Sequence, residues 1–127
     1  MRIIFWGTPE YSVKSLEVLN KSDHEIVAVI SQPDKKRSRG SKLIASPVKE
    51  YATKEGIQVF TPEIIKGNIN LINTLKELSC DIFIVIAYGK ILPKEILEIP
   101  KYKSWNAHAS LLPRWRGAAP IQWSILN

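Results

Sequence analysis

The sequence predicts an α/β fold in which a mainly parallel open sheet carries helices on both faces, and three observations lead there. Apolar runs of strand length recur at residues 2–7, 25–31 and 81–87, and their lack of polar alternation suits strands buried on both faces. Between them lie segments whose apolar residues return at helical spacing, such as Ile69, Ile72, Leu75 and Leu78. Glycine and proline stand at the joints, at Gly7, Pro9, Pro47, Gly56 and Pro93.

Residues 2–7, Arg-Ile-Ile-Phe-Trp-Gly, make the first strand. Thr8 and Pro9 then open a helix, with Thr8 as its candidate cap and Val13, Leu16 and Leu19 or Asn20 at helical spacing. Residues 25–31 supply the second strand. After a polar loop, Ser46-Pro47 starts a helix carrying Val48, Tyr51 and Ala52, which Gly56 ends, and residues 57–60 form a short third strand. Residues 68–78 are helical, and residues 81–87 are the most apolar strand of all. Pro93 begins a short helix through Leu97, and residues 104–108 read as a fifth strand. Residues 118–127 read as a last helix, leaving Ile121, Trp123 and Ile125 as an apolar patch.

Strands alternating with helices at this spacing, joined by right-handed crossovers, give a Rossmann-like sheet. Ligands of such sheets sit beyond the carboxyl ends of the strands, so chemistry is expected near Gly7, near Tyr88 and from His108 onward. The 127 residues suit one domain, without internal repeats or an interdomain linker.

An apolar content of 45% beside 24% charged residues excludes a disordered chain. No apolar run approaches the roughly 20 residues that cross a bilayer, and the apolar start meets Gly7 with no cleavage pattern, so a cytoplasmic protein is expected. The single cysteine, Cys80, cannot form an internal disulfide and reads as a small buried residue. Eighteen Lys and Arg against 12 Asp and Glu leave a net charge of +6, which favours polyanionic partners without naming one.

The first turn, Gly7-Thr8-Pro9-Glu10, lacks the later glycines of a dinucleotide fingerprint, which disfavours a nicotinamide cofactor. Asn106 and His108 are more informative. Two apart in a strand, they share one face with Cα atoms about 6.5–7 Å apart. An amide there can donate to a developing oxyanion, and an imidazole can donate or move a proton near neutral pH. From the pattern alone, a strand-end pair with ordinary hydrogen bonds reads as well. The segment from Asp34 to Lys42 holds five cations and no apolar anchor, the composition of a solvated loop. Trp105 is expected to pack under the sheet, whereas Trp115, between Arg114 and Arg116, is assigned no role. Two histidines without a supporting carboxylate or thiolate cluster predict no metal.

Directly after His108 the chain reads Ser110-Leu111-Leu112-Pro113-Arg114-Trp115-Arg116-Gly117-Ala118-Ala119-Pro120-Ile121-Gln122. An Asn-x-His pair running into Ser-Leu-Leu-Pro resembles the folate-dependent formyltransferase superfamily, and the continuation resembles its methionyl-tRNA branch. Phe5-Trp6-Gly7-Thr8-Pro9, Gln32-Pro33-Asp34, Ser46-Pro47-Val48-Lys49 and Ala87-Tyr88-Gly89-Lys90-Ile91-Leu92-Pro93 keep the same order and spacing across essentially the whole chain.

The resemblance implies formyl transfer from 10-formyltetrahydrofolate to the α-amino group of methionyl initiator tRNA, for translation initiation. It implies that Asn106 and His108 are two of three catalytic residues, and that Ser110, Leu111, Leu112, Pro113 and Leu92 border the folate. The third, an aspartate, and a smaller C-terminal barrel are expected beyond Asn127, so residues 1–127 read as a catalytic domain incomplete at its C-terminus. Arg39 and Lys42 are implied to contact tRNA phosphates, although Lys36 and Arg37 stand where the family usually carries proline and small residues. The resemblance implies no membrane or DNA partner and a monomer when complete. The alternatives are a formyltransferase acting on a small amine, such as an amino sugar nucleotide or glycinamide ribonucleotide, and a noncatalytic folate- or RNA-binding remnant.

Overall fold

The computed structural model describes residues 1–36, 42–109 and 121–126, with residues 108, 109 and 121–126 described by their backbone alone. Strand β1 (Arg2–Gly7) is followed by helix α1 (Glu10–Asn20) and strand β2 (Glu25–Ile30). The two-residue strands β3 (Lys35–Lys36) and β4 (Leu43–Ile44) precede helix α2 (Pro47–Lys54) and strand β5 (Val59–Phe60). Helix α3 (Ile69–Glu77), strand β6 (Ile82–Ile86), helix α4 (Lys94–Leu97), strand β7 (Ser104–Ala109) and strand β8 (Ile121–Leu126) complete the order.

The main sheet has six strands in the order β5-β2-β1-β6-β7-β8, parallel except for β8, which runs antiparallel to β7. Alternation along the strands sends side chains into two cores. Ile3, Phe5, Val29, Ile84 and Ile86 meet Leu16 of α1 and Val48 and Ala52 of α2. Ile4, Trp6, Ile30, Phe83 and Val85 meet Leu71 and Leu75 of α3 and Ile96 and Leu97 of α4. Helices therefore cover both faces, as the apolar runs without alternation require. Trp105 packs against the α1 and α2 side, as expected.

The helix starts follow the sequence closely. Ser46 caps α2 by accepting from the Lys49 amide at 3.0 Å, with Pro47 at the first helical position. Asn68 caps α3 by accepting from the Leu71 amide at 3.0 Å.

Three local expectations are corrected. Thr8 does not cap α1: Pro9 takes that position without a side-chain bond, and the Thr8 hydroxyl turns to the Tyr88 carbonyl beyond β6. The buried stripe of α3 is Leu71, Ile72, Leu75 and Leu78, whereas Ile69 is 64% exposed. Steps of three drift off one face of a 3.6-residue helix, and the i, i+1, i+4, i+7 set stays on it. Residues 121–126 form a strand rather than a helix, because the β-favouring Ile121, Trp123 and Ile125 alternate with the polar Gln122 and Ser124. In addition, the segment read as a polar loop carries a ladder, Lys35 opposite Ile44 and Lys36 opposite Leu43.

Candidate active site

The parallel strands β1, β2, β6 and β7 end on one edge of the sheet, and there β1 and β6 pass close to each other. A Cβ on Gly7 would stand 2.7 Å from Phe5 Cε2 and 2.9 Å from the Ile86 carbonyl, so β1 must leave the sheet on a residue without a side chain. Ser12 of α1 is fully buried and donates its hydroxyl to that same Ile86 carbonyl at 2.7 Å.

The exit of β6 is bent and held from several sides. Ala87 has φ 53° and Gly89 φ 100°, both left-handed, a conformation uncommon for alanine and easy for glycine. Between them, the Tyr88 carbonyl accepts from Thr8 Oγ1 at 2.7 Å and from Gln32 Nε2 at 3.1 Å. Thr8 Oγ1 in turn accepts from the Gln32 amide at 3.4 Å. Lys90 reaches back through its ammonium to the Glu63 carbonyl.

This turn borders a cavity of about 390 Å³, whose lining includes Val85, Leu92, Leu97, Lys90, Tyr11 and Asn106. Apolar walls with a few placed polar groups are what a small-molecule site presents. Asn106 is half-buried on β7, opposite Val85 on one side and Ser124 on the other. Leu92 is 7% exposed. The structure thus brings together two of the residues picked out from sequence, Asn106 and Leu92, around one space.

His108 lies two positions further along β7, its backbone opposite Gln122, and its side chain falls outside the described residues. Ser110, Leu111, Leu112, Pro113, Arg39 and Trp115 also fall outside them. Lys42 is exposed just before β4 and does not line the cavity. Among the described residues no cluster of three or more His, Cys, Asp or Glu is arranged to hold a metal, and no helix is long and apolar enough to cross a membrane.

Beneath the turn, Tyr88 is 1% exposed with its ring edge-on to Trp6 at 5.1 Å. Burial pushes the Tyr88 phenol from 10.0 up to about 12. Its hydroxyl and Trp6 Nε1 are both buried and find no hydrogen-bond partner among the described residues.

The root of the basic segment is closed at three levels. Ser31 and Ser46 share a buried 2.6 Å hydroxyl contact, Lys49 Nζ donates to Asp34 Oδ1 at 2.9 Å, and the β3–β4 ladder follows. Ser12, Gln32, Asp34 and Lys49 had no role assigned from sequence, and Thr8 had only that of a helix cap. Gln32-Pro33-Asp34 stood out only as a segment shared with a family, and Ser46-Pro47-Val48-Lys49 as such a segment and a helix start.

A model of the family described as "Formyl transferase" matches residues 1–127. The chain belongs to the formyl transferase family. Among curated relatives, a methionyl-tRNA formyltransferase of Prochlorococcus marinus subsp. pastoris is 86% identical over 127 residues, covering 100% of this chain and 39% of the relative. A methionyl-tRNA formyltransferase of Sulfurihydrogenibium sp. is 58% identical over the same length, covering 41% of the relative. The chain therefore spans roughly two fifths of the length of these relatives.

Solved structures agree on the fold. Glycinamide ribonucleotide transformylase 1 from Geobacillus kaustophilus superposes with a TM-score of 0.62 at 17% identity, over 91% of this chain and 62% of that one. Phosphoribosylglycinamide formyltransferase from Anaplasma phagocytophilum gives 0.62 at 24% identity, over 92% and 53%. The family expected from the Asn-x-His and Ser-Leu-Leu-Pro segments is the one found.

Proposed function

We propose that this formyl transferase chain forms the catalytic domain of an enzyme moving a formyl group from 10-formyltetrahydrofolate to the α-amino group of methionyl initiator tRNA. The observation that carries the reading is the shared cavity. An amide, Asn106, and the β6 exit turn with Leu92 face one space at the carboxyl edge of a parallel sheet. The names of relatives as close as 86% identical support the tRNA substrate, while the small-amine enzymes resemble this chain in fold at 24% identity or less.

In this reading the amine nitrogen attacks the formyl carbon, forming a new C–N bond and a tetrahedral oxyanion. Asn106 donates to that oxyanion, and His108 adds a donor while passing the amine proton to the departing folate nitrogen as the old C–N bond breaks. Ser110 to Pro113 and Leu92 border the folate, and Arg39 and Lys42 meet tRNA phosphates. A carboxylate beyond Asn127 orients the histidine. The activity belongs to a cytoplasmic protein of translation initiation, monomeric and independent of metal, membrane and DNA.

The test uses a chain extended to the length of its relatives. Asn106→Ala should lower kcat by about two to three powers of ten with KM little changed. Unchanged turnover, or formylation of glycinamide ribonucleotide in place of charged initiator tRNA, would overturn the proposal.

A further inference from the structure

The exit of β6 poses a problem of hydrogen bonding. With Ala87 at φ 53° and Gly89 at φ 100°, the strand stops pairing and turns sharply. The Tyr88 carbonyl is thereby taken out of the sheet ladder although the residue is 1% exposed. A buried carbonyl without a partner is strongly disfavoured. Two side chains from distant parts of the chain meet it, Thr8 at 2.7 Å from the end of β1 and Gln32 at 3.1 Å from just beyond β2.

Their arrangement is specific. The single Thr8 hydroxyl proton points at the Tyr88 carbonyl, which can only accept, while the Thr8 oxygen accepts from the Gln32 backbone N–H at 3.4 Å. Gln32 is 7% exposed, and its side chain lies beside Gly89, where an added Cβ would be in ordinary contact with Nε2 at 3.4 Å. Neither Thr8 nor Gln32 lines the cavity, whereas Ala87, Tyr88, Lys90, Ile91 and Leu92 do.

We infer that Thr8 and Gln32 are positioning residues that hold the Tyr88 carbonyl and thereby set the shape of the cavity wall formed by residues 87–92. Resting on the reading of that cavity as the folate site, the inference assigns them to formyl-donor affinity, with no direct contact to the donor. Their partners are fixed by hydrogen-bonding chemistry, so shape-preserving substitutions without the donor group should loosen the wall while leaving the apolar cores intact.

The experiment uses Thr8→Val, Gln32→Met and their combination, with Thr8→Ser as the conservative variant, all in a chain of the relatives' full length. Amide hydrogen exchange over residues 87–92 is read first, without ligand. It should rise by roughly tenfold in the double variant, as befits two lost hydrogen bonds, while exchange in β1 and β6 stays near the parent. Binding of 5-formyltetrahydrofolate, a non-reacting probe, should weaken by roughly three- to tenfold. KM for charged initiator tRNA should hold within about twofold, and Thr8→Ser should restore both readouts.

Unaltered exchange over residues 87–92, or equal effects of Thr8→Val and Thr8→Ser, would overturn the assignment. If the double variant does not fold, the single variants decide by the same two readouts. A parent that binds no folate would refute the cavity's proposed ligand, while the exchange result would still decide whether the two side chains hold the wall.

Discussion

Lys49 Nζ stands 2.9 Å from Asp34 Oδ1, joining the first turn of α2 to the strand that leads out into the basic segment. Both side chains are about 30% exposed, so the pair is worth well under about 1 kcal/mol of global stability once solvent screening is counted. Its consequence is geometric, since it ties α2 to the residue directly before Lys35 and Lys36 of β3. Lys49→Ala should raise KM for charged initiator tRNA severalfold and leave folate affinity and melting temperature near the parent. The charge-swapped pair Asp34→Lys with Lys49→Asp should recover part of the loss. Steady-state kinetics with each substrate varied in turn checks it; a loss confined to folate would refute it.

Arg39→Glu tests the segment itself. Phosphate contacts release counterions, so this substitution should weaken tRNA use, flatten its dependence on salt concentration and spare folate binding. Equal losses toward both substrates, with a lowered melting temperature, would point to misfolding instead.

The corrected stripe of α3 gives a stability prediction. Leu75 is fully buried between α3 and the sheet, and Leu75→Ala should cost about 2–5 kcal/mol by leaving a cavity. Ile69, which the spacing of three placed on the same face, is 64% exposed, and Ile69→Ala should change stability by less than about 0.5 kcal/mol. Urea denaturation of the two variants checks the contrast, and similar losses would restore the stripe first read from sequence.

Burial pushes the Cys80 thiol from 9.0 up to about 11, with the Asp81 charge adding to it. A folded pKa raised above the unfolded one leaves stability whole below pH 9, and it is lost as pH climbs through 11. Tyr88 behaves alike between 10 and 12. Cys80→Ala should therefore flatten the fall of the melting temperature between pH 9 and 11 relative to the parent, with no change in slope near neutrality. Parallel curves for the two proteins across that window would refute the burial argument. The thiol should also react slowly with alkylating reagents at neutral pH, since the thiolate is the nucleophile.

What the sequence determined by itself is local in origin. Apolar runs, helical spacing and Ser-Pro or Asn starts depend on neighbours within a few residues, so β1, β2, α2 and β6 fall within a residue or two of where they were read. The family was legible for a related reason: Asn106, His108 and Ser110 to Pro113 lie in one unbroken stretch.

Tertiary structure alone decided which distant groups meet. Thr8 and Tyr88 are 80 residues apart and Gln32 and Tyr88 are 56 apart, and only the placement of β1 between β2 and β6 brings both side chains to one carbonyl. Thr8 therefore looked like a helix cap, a role its type and position allow locally and its hydrogen bond denies. Likewise Asp34 and Lys49 read as members of separate segments until the ladder closed the root between them. Local periodicity specifies which face of an element is apolar; the order in which strands assemble specifies which polar groups that face leaves within reach, and no local pattern encodes that order.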